Sequence, residues 1–172
     1  MRFPTDYPDQ QAVGDYLARE RRDFDDWVAT APPRTAPYEL HVIGDTYRSG
    51  DRNEDTESLV LTIGSDTGVH PVTTYQAFNY NLADHIPLSF ETLFKPDANP
   101  VSVLKPFVAQ QVLERDRRAG KAVEELTAAS YRQFAITDDA IIFFFNQDGI
   151  LPHEQGPFKV AVPRSALASI LN

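Results

Sequence analysis

The run Ala140-Ile141-Ile142-Phe143-Phe144-Phe145 constrains this chain more than any other stretch. Six consecutive apolar residues without polar alternation describe a central strand covered on both faces, so the fold must supply a layer on each side of it. Core packing accounts for the three phenylalanines better than a lipid or aromatic-ligand pocket does. Asp138-Asp139 reads as a turn from a preceding strand, Gln133 to Thr137, and Phe158-Lys159-Val160-Ala161-Val162 alternates as a half-exposed neighbour should. From Pro163 to Leu171 the pattern predicts a closing helix.

The other end of the chain is helical. Val13, Tyr16, Leu17, Phe24, Trp27 and Val28 recur at helical spacing, Asp9 is placed to cap, and Pro32-Pro33 ends the element, which predicts one amphipathic helix over 10–30. Tyr38 to Tyr47, Ser58 to Ile63 and Pro71 to Asn79 are rich in β-branched and aromatic residues. The polar clusters 49–53 and 64–68 separate them, so an antiparallel meander is expected. A short strand at 87–90, a helix near 100–118 with Pro106 as an irregularity and Gly120 as its stop, and a turn around 123–130 complete the reading. The expectation is one α+β domain over 1–172, with helices packed on an antiparallel or mixed sheet.

Charge narrows the partners. With 16 Lys and Arg against 25 Asp and Glu, the net charge is −9. The basic runs, Arg19, Arg21 and Arg22, then Arg115, Arg117, Arg118 and Lys121, lie among acids on expected helices and read as solvated faces. Nucleic acid is therefore an unsuitable partner, whereas a basic protein or peptide would be steered toward this surface. No cysteine is present, which excludes disulfides and thiolate chemistry. The first residues lack the charged start and apolar core of a secretory signal, and no apolar run approaches the ~20 residues of a membrane span. A monomer is expected.

No motif forces a reaction. Asp66-Thr67-Gly68 matches the tripeptide of aspartic proteases, but no second copy is present and a hairpin turn is the simpler reading. Asp51, Asn53, Asp55 and Glu57 alternate like the opening of a calcium loop, yet Thr56 and Thr62 stand where Gly and a bidentate Glu are needed. His41, His70, His85 and His153 have no i, i+4 pairing, and no serine sits in a G-x-S-x-G elbow. No catalytic, cofactor-binding or metal-binding residue is assigned, and no cofactor is expected. A binding site is expected instead in the loop joining the last two strands, on Asp148, Ile150, Leu151, His153, Glu154 and Gln155, because long loops between rigid strands often carry recognition. Ile150 and Leu151 would be its apolar anchors.

Several blocks carry a resemblance. Phe134 to Asn146, Leu151-Pro152, Gly156-Pro157 and Val162-Pro163-Arg164-Ser165-Ala166 resemble the secreted mycobacterial immunogenic proteins of the MPT group. Tyr7-Pro8-Asp9-Gln10, Ala36 to Leu40, His70-Pro71, Thr73 to Phe78 and Thr92-Leu93 match in the same order. The wider superfamily is similar to the extracytoplasmic domain of lysozyme-sensing anti-sigma factors, found also beside some peptidoglycan deacetylases. The resemblance implies a secreted or envelope-associated, non-enzymatic binding module whose partner is a protein or envelope component. It also implies a leader and part of a first strand ahead of Met1-Arg2-Phe3. Where the lysozyme sensors carry tyrosines in the loop, this chain has Asp148 and His153, which weakens the case for lysozyme as partner. The rival reading is a weak carboxylic ester hydrolase of the envelope, which requires a serine, a histidine and a carboxylate to converge in space.

Overall fold

The computed structural model describes residues 4–50, 56–68 and 70–172. Helix α1 (Gln10–Thr30) is capped by Asp9, whose carboxylate accepts from the Ala12 N–H at 3.0 Å. A meander follows: β1 (Glu39–Ser49), β2 (Thr56–Asp66), β3 (Val72–Asn81) and the short β4 (Ile86–Leu88) pair antiparallel in chain order. Ser89 and Thr92 form a capping box that starts α2 (Phe90–Leu93). Helix α3 (Pro100–Arg115) begins on Asn99 and Pro100, and α4 (Gly120–Glu124) continues from a short link. A second antiparallel sheet closes the chain, with β5 (Phe134–Ile136), β6 (Ala140–Phe145) and β7 (Phe158–Pro163) again in chain order, then α5 (Arg164–Leu167).

The order of layers is helix, sheet, sheet, helix. On the outer face of the four-stranded sheet, Val13 and Leu17 of α1 pack with Tyr7 on Val42, Leu59, Leu61 and Ile63. Its inner face meets the second sheet, where Val60 packs on Ala135 and Phe144. The far face of that second sheet carries the main core: Ile141, Phe143 and Phe145 of β6 and Phe158, Val160 and Val162 of β7 pack on Leu104, Val108 and Val112 of α3. β6 is thus covered on both faces, as its continuous apolar run predicts.

Two sheets replace the single one expected, and side chains join them. β4 pairs only with Asn79 to Asn81, which leaves the rest of the β3 edge without a strand. Three carboxamides flanking β5 and β6 fill the gap: the N–H groups of Thr73, Tyr75 and Ala77 donate to Gln147 Oε1 (2.8 Å), Asn146 Oδ1 (2.7 Å) and Gln133 Oε1 (2.6 Å). Ile136 N–H donates to Ser58 Oγ and Asn79 Nδ2 to the Phe134 carbonyl, both at 3.0 Å. Every one of these atoms would otherwise be a polar group stranded at a partly dry interface.

Three local expectations change. The closing helix stops at Leu167, because Ile170 and Leu171 turn to pair with the 93–95 segment: Lys95 N–H donates to the Ile170 carbonyl at 2.9 Å, and Leu171 bridges Phe94. Gly120 opens α4 rather than stopping α3, which ends at Arg115 with the Asp116 N–H on the Val112 carbonyl. Gly64 and Ser65 lie in β2, not in a turn.

Candidate functional site

The loop between β6 and β7 is fastened at its root. Gln147 donates its backbone N–H to the Thr73 carbonyl at 3.1 Å while its Oε1 accepts from the Thr73 N–H. That pairing fixes the orientation of the carboxamide, so its Nε2 points into the loop. There it lies 3.1 Å from His153 Nε2 and 3.1 Å from the His153 carbonyl. On the other side of the ring, His153 Nδ1 is 3.0 Å from Asp148 Oδ2. Only one tautomer satisfies both ring contacts: Nδ1–H donates to Asp148, and Nε2 accepts from the Gln147 amide.

Backbone geometry sets the rest of the loop. Asp148 takes a left-handed conformation (φ 62°), which short polar residues tolerate, and Gly156 (φ 66°) closes the 3₁₀ turn His153–Gln155 by donating to the His153 carbonyl. Gly149 comes so close to the Asn146 carbonyl oxygen that a Cβ would stand 3.0 Å from it.

Of the six residues expected to bind, the structure brings five to the surface region and withdraws one. Asp148, Glu154 and Gln155 are exposed, and Ile150 and His153 are half-buried. Leu151 is 3% exposed and belongs to the main core with Phe145 and Phe158, so it is a packing residue rather than an anchor. Ile150 also rests against that core. What the loop exposes at the surface is chiefly polar and acidic. Gln147, which holds the loop together, was not among the expected residues, since a lone glutamine after a strand carries no periodic signal.

The other motifs resolve into local structure. Asp66 ends β2, and its Oδ1 accepts from the Gly68 N–H (3.2 Å) and from Arg34 Nη1 (3.1 Å), so Asp66-Thr67-Gly68 is a turn. The Arg34 hydrogen bond, foremost, holds the Asp66 carboxyl below its usual range. Asp51, Asn53 and Asp55 lie outside the described residues, while Glu57 is buried in β2 against Arg48 at 3.0 Å. Among the described residues no serine hydroxyl hydrogen-bonds to a histidine: those of Ser49, Ser58, Ser89, Ser102 and Ser130 engage backbone groups or threonine hydroxyls. His153 is oriented by an acid, as a general base would be, but the lone pair that such a base needs is taken by Gln147.

Known proteins share this chain's sequence and fold. The family described as "Protein of unknown function (DUF3298)" matches residues 91–165. The immunogenic proteins MPT64 of Mycobacterium tuberculosis and MPB64 of Mycobacterium bovis are each 37% identical over 98% of the chain and 75% of their own length. A protein of Mycobacterium tuberculosis named esterase Rv3036c is 42% identical over 97% of the chain and 75% of its own length. Among solved structures, a DUF3298 family protein from Pseudomonas aeruginosa superposes with a TM-score of 0.63 at 15% identity, covering 91% of this chain and 69% of that one. A second, from Bacteroides fragilis, gives 0.54 at 16% identity over 94% and 69%. At such identities these two establish the fold.

Proposed function

The chain belongs to one family with the immunogenic proteins MPT64 and MPB64 and the esterase Rv3036c, and from that premise we propose that it is a non-enzymatic recognition module. In this reading it is secreted or held at the cell envelope, and it engages a protein or envelope component through the loop 146–156. The observation that carries it is the closed circuit Thr73, Gln147, His153, Asp148, which rigidifies a long acidic loop on a buried strand pair. Loops fixed in one shape lose less entropy on binding. The sensing domains that the sequence resembles would work in the same way. The acidity of Asp148 and Glu154 suits a basic partner by speeding encounter.

Ester hydrolysis is the second reading, favoured by the name of the 42% identical relative and by the acid-oriented imidazole. It requires Gln147 to release His153 Nε2 and a nucleophile to replace it.

One experiment separates the two. Turnover of p-nitrophenyl butyrate is measured for the wild type, for His153→Ala and for each Ser→Ala variant, with heat-denatured protein as control. The expected result is no turnover that any single substitution abolishes. Loss of a real turnover in a folded Ser→Ala or His153→Ala variant would replace the recognition module with an esterase and name its catalytic group. Association with basic secreted proteins is then compared between wild type and the Asp148→Lys, Glu154→Lys double variant, which should associate more slowly.

A further inference from the structure

The second sheet has three strands and the first has four, so part of the meander's inner face is left uncovered. Register identifies which part. Asp45, Val60 and Ala77 lie abreast across β1, β2 and β3, and this row meets Phe144 of β6. The next row, Ile43, Thr62 and Tyr75, extends beyond it: Ile43 is 53% exposed, and Thr62 and Tyr75 are half-buried. Between this ledge and β7 runs a cleft of about 300 Å³ whose far wall is Phe158, Lys159 and the end of α3 at Arg115.

The lining is mixed in a particular way. Tyr47 and Tyr75 both lean on the Phe144 ring, with centroids 5.9 and 5.1 Å away. Burial pushes the pKa of both phenols up, so each keeps a hydroxyl proton to donate. Arg115 lies over the Phe158 ring at 5.2 Å. Among the described residues, neither Arg115 nor Lys159 has a carboxylate within ion-pair distance, and Asp45 has no cation within it. Aromatic faces, two phenolic hydroxyls, an acid and two cations therefore converge on one cavity of small-ligand size.

We propose that this cleft binds a carboxylate-bearing pyranose, one ring of an acidic glycan. The ring's apolar C–H face lies against Tyr47 and Tyr75, which the buried Phe144 supports from beneath, its carboxylate meets Arg115 and Lys159, and its hydroxyls donate to Asp45. An alkyl chain would cover the rings but desolvate three charges without compensation. An aromatic acid or a free phosphate would engage the cations and leave Asp45 without a hydroxyl to accept from. The site does not depend on the loop 146–156.

The test is an NMR titration of the amide resonances with glucuronate, galacturonate and N-acetylmuramate. Glucose, N-acetylglucosamine, acetate and benzoate serve as comparisons. At least one acidic sugar should give saturable shifts at residues 45–47, 60–62, 75 and 159 and bind more tightly than its neutral counterpart and than either simple acid. Arg115→Gln with Lys159→Gln should weaken it about tenfold or more, and Tyr75→Phe should weaken it less, with circular dichroism verifying the fold. The Asp148→Lys, Glu154→Lys variant should bind the sugar as the wild type does, which separates failure here from failure of the loop reading. No shift from any of the three acidic sugars overturns the proposal. So does equal binding of acetate or benzoate, or an unchanged affinity in the double glutamine variant.

Discussion

Strand β6 and helix α1 are anchored to opposite degrees. β6 has six residues and is enclosed by the meander on one face and by α3 with the main core on the other. α1 has 21 residues, yet only Val13 and Leu17, both in its first half, are buried. Its second half stands off the sheet over a cleft of about 210 Å³ beneath Phe24 and Trp27. That half is secured by the Trp27–Tyr38 edge contact at 4.9 Å, by Arg34 stacked 4.1 Å over Tyr38 and by the Arg34–Asp66 ion pair. Length of an element therefore says little about its share of stability. What counts is how many of its faces are dry.

The contrast is broken or sharpened most strongly at Phe143, which is fully buried and touches the rings of Phe90, Tyr131 and Phe134. Phe143→Ala should cost ~3–5 kcal/mol in chemical denaturation, whereas Trp27→Ala, at a position 39% exposed, should cost ~1 kcal/mol or less. Equal losses would show that α1 is as much a part of the core as β6.

A smaller effect is expected where β6 runs into its loop. Gln147→Ala removes the acceptor for Thr73 and the donor to His153, so ~1–3 kcal/mol should be lost and limited proteolysis between 147 and 156 should quicken. Gln147→Glu keeps the acceptor for Thr73 and sets a carboxylate against His153 Nε2. It should therefore lose the bond to the His153 carbonyl and quicken that cleavage, while Thr73 keeps its partner. Cleavage at the wild-type rate would mean that Gln147 does not face the loop in solution.

The smallest effect belongs to the tether of α1. Asp66 is held below its usual range by Arg34. A carboxyl depressed in the folded state contributes stability above its unfolded value of about 3.9, and that contribution fades as pH falls through the folded value. Arg34→Gln should raise the Asp66 midpoint in a carboxyl NMR titration and flatten the acid limb of stability below about pH 4. No movement would leave the stacking on Tyr38 and the hydrogen bonds to the Pro37 and Asp66 carbonyls as the tethers from Arg34.

Much of this frame is legible in the sequence because hydrophobic spacing is local. The apolar run of β6 and the alternation of Phe158 to Val162 report their own burial, and the 10–30 periodicity reports its helix, although of its six apolar positions only Val13 and Leu17 are buried. Partnerships between distant residues are not legible in that way. Gln133, Asn146 and Gln147 meet backbone groups 56 to 74 positions away, and no short-range pattern marks a carboxamide as an edge cap. The division into two sheets follows from those caps and was hidden with them. In the loop, Ile150 and Leu151 are adjacent and chemically alike, and only the turn at Asp148 decides that Leu151 points inward. Tyr47, Tyr75, Arg115 and Lys159 are spread over four elements, and the cleft they form exists only once the sheets are stacked.

The amide-capped edge of β3 also bears on self-association. A row of open N–H groups on an outer strand is a template on which a second chain can add itself and begin a fibril. At β3 an incoming strand would first have to expel Gln133, Asn146 and Gln147, each already bonded, so that rim is closed to growth. At β1 no strand covers the rim among the described residues, and the defence is of another kind: Glu39, Asp45 and Arg48 spaced along it, charges that a growing stack would bring into register with their own copies. The molecule thus guards one rim by saturation and the other by repulsion, and only the second guard weakens when salt rises.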